Sequence, residues 1–167
     1  MKAVASVSER LWDFESDPES AYFTRPLLAD VTEPDSAQFY SAYAKAQALH
    51  TEMVPLDDES IAAFVTAAGE AERAFGVADE NARRKARLGV VSGGRVLTID
   101  EKRKLGQARK LMAQALDTAN TAEAAALAHA KATGLLDEIG VVVPERLATA
   151  VVHQIEATHR AALTAAL

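Results

Sequence analysis

Apolar residues along this chain recur in steps of three and four. The longest run is Ile61, Phe64, Ala68, Ala71, Phe75, Ala78 and Ala82, without a miss. That rhythm is a heptad seam, one apolar stripe along a helix. Asp57 stands where an N-cap belongs, and Leu56 and Ile61 occupy the two positions of a hydrophobic staple. Gly89, after Leu88, is a stop signal. The spacing predicts a helix of about 30 residues, about 45 Å long.

Four further helices follow from the same kind of signal. Thr32-Glu33-Pro34-Asp35 opens a helix on which Phe39, Tyr43, Ala46, His50 and Met53 share a face, and Pro55 ends it. Thr98-Ile99-Asp100-Glu101 reads as a capping box opening another. Asn120-Thr121-Ala122-Glu123 resembles a second box, for a helix ending near Gly140. Pro144 opens the last. Between the long helix and Thr98, two short β-forming runs flank Gly93-Gly94, as in a small hairpin over 90–97. The expected fold is all-α: one domain, a bundle of about five helices with short connections.

The first 35 residues read differently. Pro18, Pro26 and Pro34 each disfavour helix at the residue before them. Residues 1–35 are therefore expected as an irregular, acidic, aromatic arm, with at most a short turn capped by Asp17. Trp12, Phe14, Tyr22, Phe23, Leu27 and Leu28 would make that arm pack on the body. An acidic helical part, 36–88, and an alanine-rich helical part, 98–167, complete the domain.

Composition sharpens the division. All nine aromatic residues lie at or before Phe75, so the second half must build its core from aliphatic residues alone. The net charge of −6 hides a segregation: residues 1–80 hold 5 basic against 16 acidic side chains, and residues 81–110 hold 10 against 2. There is no cysteine, which removes disulfides, thiolate metal sites and cysteine nucleophiles. No apolar run approaches the roughly 18 residues that span a bilayer. The first six residues carry one positive charge and no apolar stretch of signal-peptide length. The expectation is a cytoplasmic protein without a membrane partner.

Candidate chemistry is thin. Lys102, Arg103, Gly106, Arg109 and Lys110 fall on one helical stripe, and Arg83, Arg84, Lys85 and Arg87 lie just upstream. Together, segment 83–110 could meet a polyanion or an acidic partner. Asp79–Arg83 and Glu80–Arg84 have the spacing of i,i+4 ion pairs, which would instead neutralise part of it. No aromatic residue interleaves the basic ones, so single-strand stacking lacks its platform. Glu156 and His159 have the Glu-x-x-His spacing of di-iron bundles. No second copy exists, however, and His153 lies about 120° from His159 around the helix. His50 and His129 sit on apolar stripes, as core or interface residues. Ser92-Gly93-Gly94-Arg95 lacks the spacing and terminal Lys of a P-loop. Asp57-Asp58-Glu59 complements a helix dipole.

Residues 109–140 carry Arg109-Lys110-Leu111-Met112, then Asn120, Glu123-Ala124, Ala130-Lys131-Ala132 and Leu135-Leu136 before Gly140. This stretch resembles a small helical domain of unknown function in bacterial and phage proteins. The resemblance implies a two-helix hairpin and no activity. The reading that results is a non-enzymatic protein–protein interaction or assembly module, with no cofactor and no metal. Its partner would be another protein or a second copy, as a homodimer through Ile61, Phe64, Ala68 and Phe75 on the long helix. The alternatives are a nucleic-acid-binding regulator using 83–110, and a helical-bundle enzyme or metal protein.

Overall fold

The computed structural model describes residues 2–50, 57–143 and 145–165. The fold is all-α, with six α-helices among these residues: α1 (Lys2–Ser16), α2 (Pro34–Ala48), α3 (Asp58–Leu88), α4 (Ile99–Leu116), α5 (Ala122–Glu138) and α6 (Glu145–Ala165). Met53, Pro55, Leu56 and Pro144, each given a role at a helix end or on a helix face above, lie outside the described residues.

The long helix forms as its pattern predicts. The Asp57 side chain accepts from Ser60 N at 2.7 Å, and Gly89 closes the helix in the left-handed region at φ 71°. A β-carbon there would come within 2.6 Å of Lys102 Cε, the end of a side chain that can swing aside, so it is the backbone angle that calls for glycine. On the seam, Ala68, Ala71, Phe75, Ala78 and Ala82 are buried. α2 packs along this helix. Phe39 meets Phe75 edge-on at 5.0 Å between ring centroids, and Tyr43 stacks on Phe39 at 5.7 Å. The Arg10 guanidinium lies over the Phe75 ring at 4.4 Å.

Residues 1–35 are not one irregular arm. Lys2–Ser16 is a helix, which makes six helices rather than five. The three prolines all come after residue 16. Ahead of them Val4, Val7, Leu11 and Phe14 step by three, four and three, and all four are buried. The prolines restrict only the residues next to them, so this stretch keeps its helical phase. Beyond it, Asp17 caps a turn as expected: its Oδ1 accepts from Glu19 N at 3.1 Å and its Oδ2 from Ser20 Oγ at 2.7 Å. A π-turn (Ser20–Thr24) and a 3-10 turn (Pro26–Ala29) then fold the segment onto α3. Tyr22, Phe23, Leu27 and Leu28 are buried, so this part packs on the body as its composition implies. Trp12 does not; it is 70% exposed.

Two smaller expectations are also corrected. Residues 90–97 form a single antiparallel bridge, Val90 to Val96, around a 3-10 turn at Ser92–Gly94, not a strand hairpin. Leu97 N also donates to Gly89 O at 2.8 Å, but the pairing can go no further because α3 ends at Leu88 and α4 begins at Ile99. Thr98 and Glu101 make the predicted capping box, but Thr121 rather than Asn120 caps α5. Asn120 Nδ2 instead donates to Gln114 O at 2.9 Å, bracing the connection.

α4 and α5 form an antiparallel hairpin held by small residues: Ala108, Ala115, Ala125, Ala128 and Ala132 are all buried. Without aromatics this half closes by bringing backbones together, and alanine permits that at little entropic cost. α6 sends Leu147, Val151, Ile155 and His159 inward at four-residue intervals, and reaches α1. One hydrophobic core thus takes residues from α1 through α6.

The contrast between Phe14 and Trp12 is testable. Phe14→Ala removes a fully buried ring and is expected to cost about 3–5 kcal/mol. Trp12→Ala is expected to stay within about 0.5 kcal/mol of wild type when both are compared as monomers, at protein concentrations too low for self-association. Urea unfolding followed by far-UV circular dichroism measures both.

Candidate functional site

The basic segment is where the sequence pointed, and the structure divides it. Arg83 Nε donates to Asp79 Oδ2 at 2.9 Å, as its spacing predicts. Arg84 does not pair with Glu80; it donates to Asn81 Oδ1 at 2.8 Å, one residue nearer along the helix. Lys85 forms a largely buried ion pair with Glu33, from the start of α2. Arg95 bridges Glu101 at 2.8 Å and also donates to the Ile139 carbonyl. Arg109 grips the Glu19 carboxylate with both Nε and a terminal nitrogen. Arg103 pairs with Asp100 in full solvent, and Lys104 meets Glu138 at 2.6 Å. Arg87, Lys102 and Lys110 are exposed and have no ion pair among the described residues. Gly106 faces open space.

Three of these contacts, at Lys85, Lys104 and Arg109, join sequence-distant acidic residues to the basic segment. The strongest cluster centres on Asp79. Arg25, itself buried, donates through Nη1 to Asp79 Oδ1 at 2.7 Å and through Nη2 to Ser20 Oγ at 2.8 Å. Its guanidinium also lies 5.2 Å from the Phe14 ring centroid. Burial alone would raise the Asp79 carboxyl; hydrogen bonds and charge from Arg25 and Arg83 outweigh it and hold the group below the usual carboxylate range. Asp30 behaves likewise: burial pushes it up, while hydrogen bonds from Ser92 and Thr32 and the charge of Lys85 bring it down overall. Ser92 Oγ reaches Asp30 Oδ2 at 2.5 Å and so ties the Gly-Gly turn to the N-terminal segment.

The expected oligomer surface on α3 is largely consumed within the chain. Ala68 and Phe75 are buried against α2 and α1 and are not available to a partner. The physical reason is that α1, unforeseen as a helix, supplies the extra cover. Phe64 is half-buried, with the exposed His50 ring 5.8 Å away, and Ile61 is 39% exposed.

The histidines of α5 and α6 do not converge on a metal. His153 is exposed and lies 3.9 Å from Glu156, whereas His159 is buried, its Nε2 3.3 Å from the Ala115 carbonyl. Among the described residues no three His, Asp or Glu side chains are grouped to hold an ion. Two concavities flank α6. One, of about 380 Å³, opens between α5 and α6 and is lined by His129, His159, Val152 and Ile155, among others. The other, of about 440 Å³, runs between α1 and α6, with Trp12 beside Leu147, Ala150, His153 and Gln154. Its floor is fixed by Arg146, which pairs with Glu15 at 2.7 Å and donates to Tyr40 Oη at 3.1 Å. Neither is legible in the sequence, because each depends on how α6 is set against another helix. Trp12 alone was detectable, since the phase that buries Leu11 and Phe14 turns it outward.

Comparison with protein-family models, curated proteins and solved structures returned no match for this chain. No helix among the described residues is long and apolar enough to cross a membrane.

The Asp79 cluster yields a pH dependence with a definite sign. A carboxyl depressed on folding stabilises the fold above its unfolded value, and that contribution is lost as pH falls through the folded value. The effect is complete above about pH 5 and fades below about pH 4. Asp79→Asn is expected to lose about 2 kcal/mol at neutral pH, by leaving the Arg25 charge uncompensated. Its stability is also expected to fall less steeply on acidification than that of wild type. Denaturant titrations between pH 3 and 7 check both outcomes.

Proposed function

We propose that this chain is a non-enzymatic helical assembly module that pairs with a second copy of itself through the face formed by α1 and α6. The observation that carries the reading is Trp12. The chain's one tryptophan stands 70% exposed at the edge of a groove of about 440 Å³. A docked tryptophan buries about 150–250 Å², and this residue type is enriched among those that dominate binding energy. Knob and groove lie on the same face, which is the requirement for a two-fold contact in which each copy fills the other's groove. Arg146 and Glu15 supply one charge of each sign beside it, so a like copy meets no net repulsion. The basic segment is mostly engaged with the protein's own acidic residues, which favours assembly over a nucleic-acid role.

Sedimentation velocity tests this directly. The wild-type chain is expected to be a dimer at micromolar concentration, and Trp12→Ala a folded monomer or a dimer weakened at least about 30-fold, in line with an interface anchor worth 2 kcal/mol or more. The single tryptophan should shift its emission to shorter wavelength as the dimer forms. A monomeric wild type, or a Trp12→Ala dimer of unchanged affinity, refutes the reading. Duplex DNA binding that falls steeply with salt would favour the basic segment instead.

A further inference from the structure

We propose that copies of this chain also associate head to tail, with the acidic start of α3 in one copy seated on the basic corner between α3 and α4 of the next. This contact is separate from the α1–α6 face and does not rest on it. Charge is divided along the length of α3. Residues 46–72 hold six acidic side chains and no lysine or arginine, whereas residues 81–110 hold 10 basic against 2 acidic. Ile61 and Leu88 lie about 40 Å apart along one helix. The two ends therefore cannot neutralise each other within one chain, and only a second copy brings them together.

Each end joins free charges to exposed apolar side chains. At the start of α3, Asp58, Ile61 and Val65 share one stripe at helical spacing. Val65 is 60% exposed. Asp58 and Glu59 are exposed and have no ion pair among the described residues. At the corner, Val90 and Val96 face each other across the single bridge, and the alternation that buries Val91 and Leu97 turns this pair outward. Ile99, the first residue of α4, is 78% exposed. Lys102 follows it by one turn and lies over Gly89, next to the exposed Leu88. Arg84, Arg87 and Lys102 have no carboxylate partner among the described residues. Apolar centres rimmed by charges of opposite sign give a contact both its burial and its register. The two surfaces differ, so each docked copy leaves one end free. The assembly then grows as an open chain or closes as a ring.

The test is made in full-length Trp12→Ala, so that the α1–α6 contact does not contribute. A small, charge-dependent contact is a weak one. Sedimentation velocity at about 200 µM protein and about 20 mM salt is expected to show species larger than a dimer, which disperse at about 300 mM salt as screening lengthens its reach over the exposed charges. Asp58→Lys with Glu59→Lys, or Arg87→Glu with Lys102→Glu, is expected to weaken the association at least about tenfold, because like charges then meet. An equimolar mixture of these two variants is expected to restore it, since every acidic or basic start of α3 then finds a corner of opposite sign. If a reversal lowers helix content, Val65→Ser and Ile99→Ser at their exposed positions replace it, each expected to weaken association at least about threefold through lost apolar burial. Chains that stay monomeric at low salt, association that stops at a dimer, indifference to salt or to the reversals, or a mixture that does not reassociate would each overturn the proposal. So would monomers whose corner binds polyglutamate, which would assign that corner to a different acidic protein.

Discussion

Everything in this structure is hung on one helix whose buried stripe is made of alanine except where a single phenylalanine is needed. Along α3, Ala68, Ala71, Ala78 and Ala82 let neighbouring backbones come close. Phe75 fills the space where α1, α2 and α3 meet, with Phe39 edge-on and Arg10 capping its face. A larger residue at any of the alanines would push α2 or the turns after α1 away, in a core that tolerates little added volume. The 15-residue helix α2 covers only part of a 31-residue partner. The remainder is shared among α1 and the two turns of 20–29 at its flank.

Charge segregation along the sequence becomes charge pairing in space. The acidic first half and the basic segment 81–110 would repel within themselves if each were exposed alone. Folding instead lays Glu19 on Arg109 and Glu33 on Lys85, and within the first half it lays Arg25 on Asp79. Exposed pairs of this kind contribute little each. The two buried ones act more as registration, since displacing either chain segment would strand a charge out of water. The same logic explains why the basic stripe of α4 is less of a polyanion surface than its spacing suggests.

What could be read from the sequence was local. Asp57, Gly89 and the Thr98–Glu101 box act on their own helix ends, and each sits where its pattern placed it. The existence of α4 and α5 followed from caps and spacing, with the second cap one residue later than expected, at Thr121. The first helix was missed because the prolines at 18, 26 and 34 coloured the reading of residues that precede them, although Val4, Val7, Leu11 and Phe14 carry a helical phase of their own. The Arg25–Asp79 pair spans 54 residues, and neither partner announces the other. The grooves beside α6 belong to the same category. They are spaces between elements, and a one-dimensional pattern records only the elements.

The contact of α6 with the first part of the chain bears on how the fold is reached. Arg146 meets Tyr40 across a sequence separation of 106 residues, whereas α2 with α3, and α4 with α5, are neighbours along the chain. Closing a long loop carries an entropic penalty that short hairpins avoid. The two hairpins are therefore the natural early units, and α6 the element that seals them. During synthesis on a ribosome, the buried face of α1 would wait for its last partner until the chain beyond residue 145 had emerged. Any factor that shields Val7, Leu11 and Phe14 in that interval would act on the yield of folded protein without touching the stability of the finished bundle.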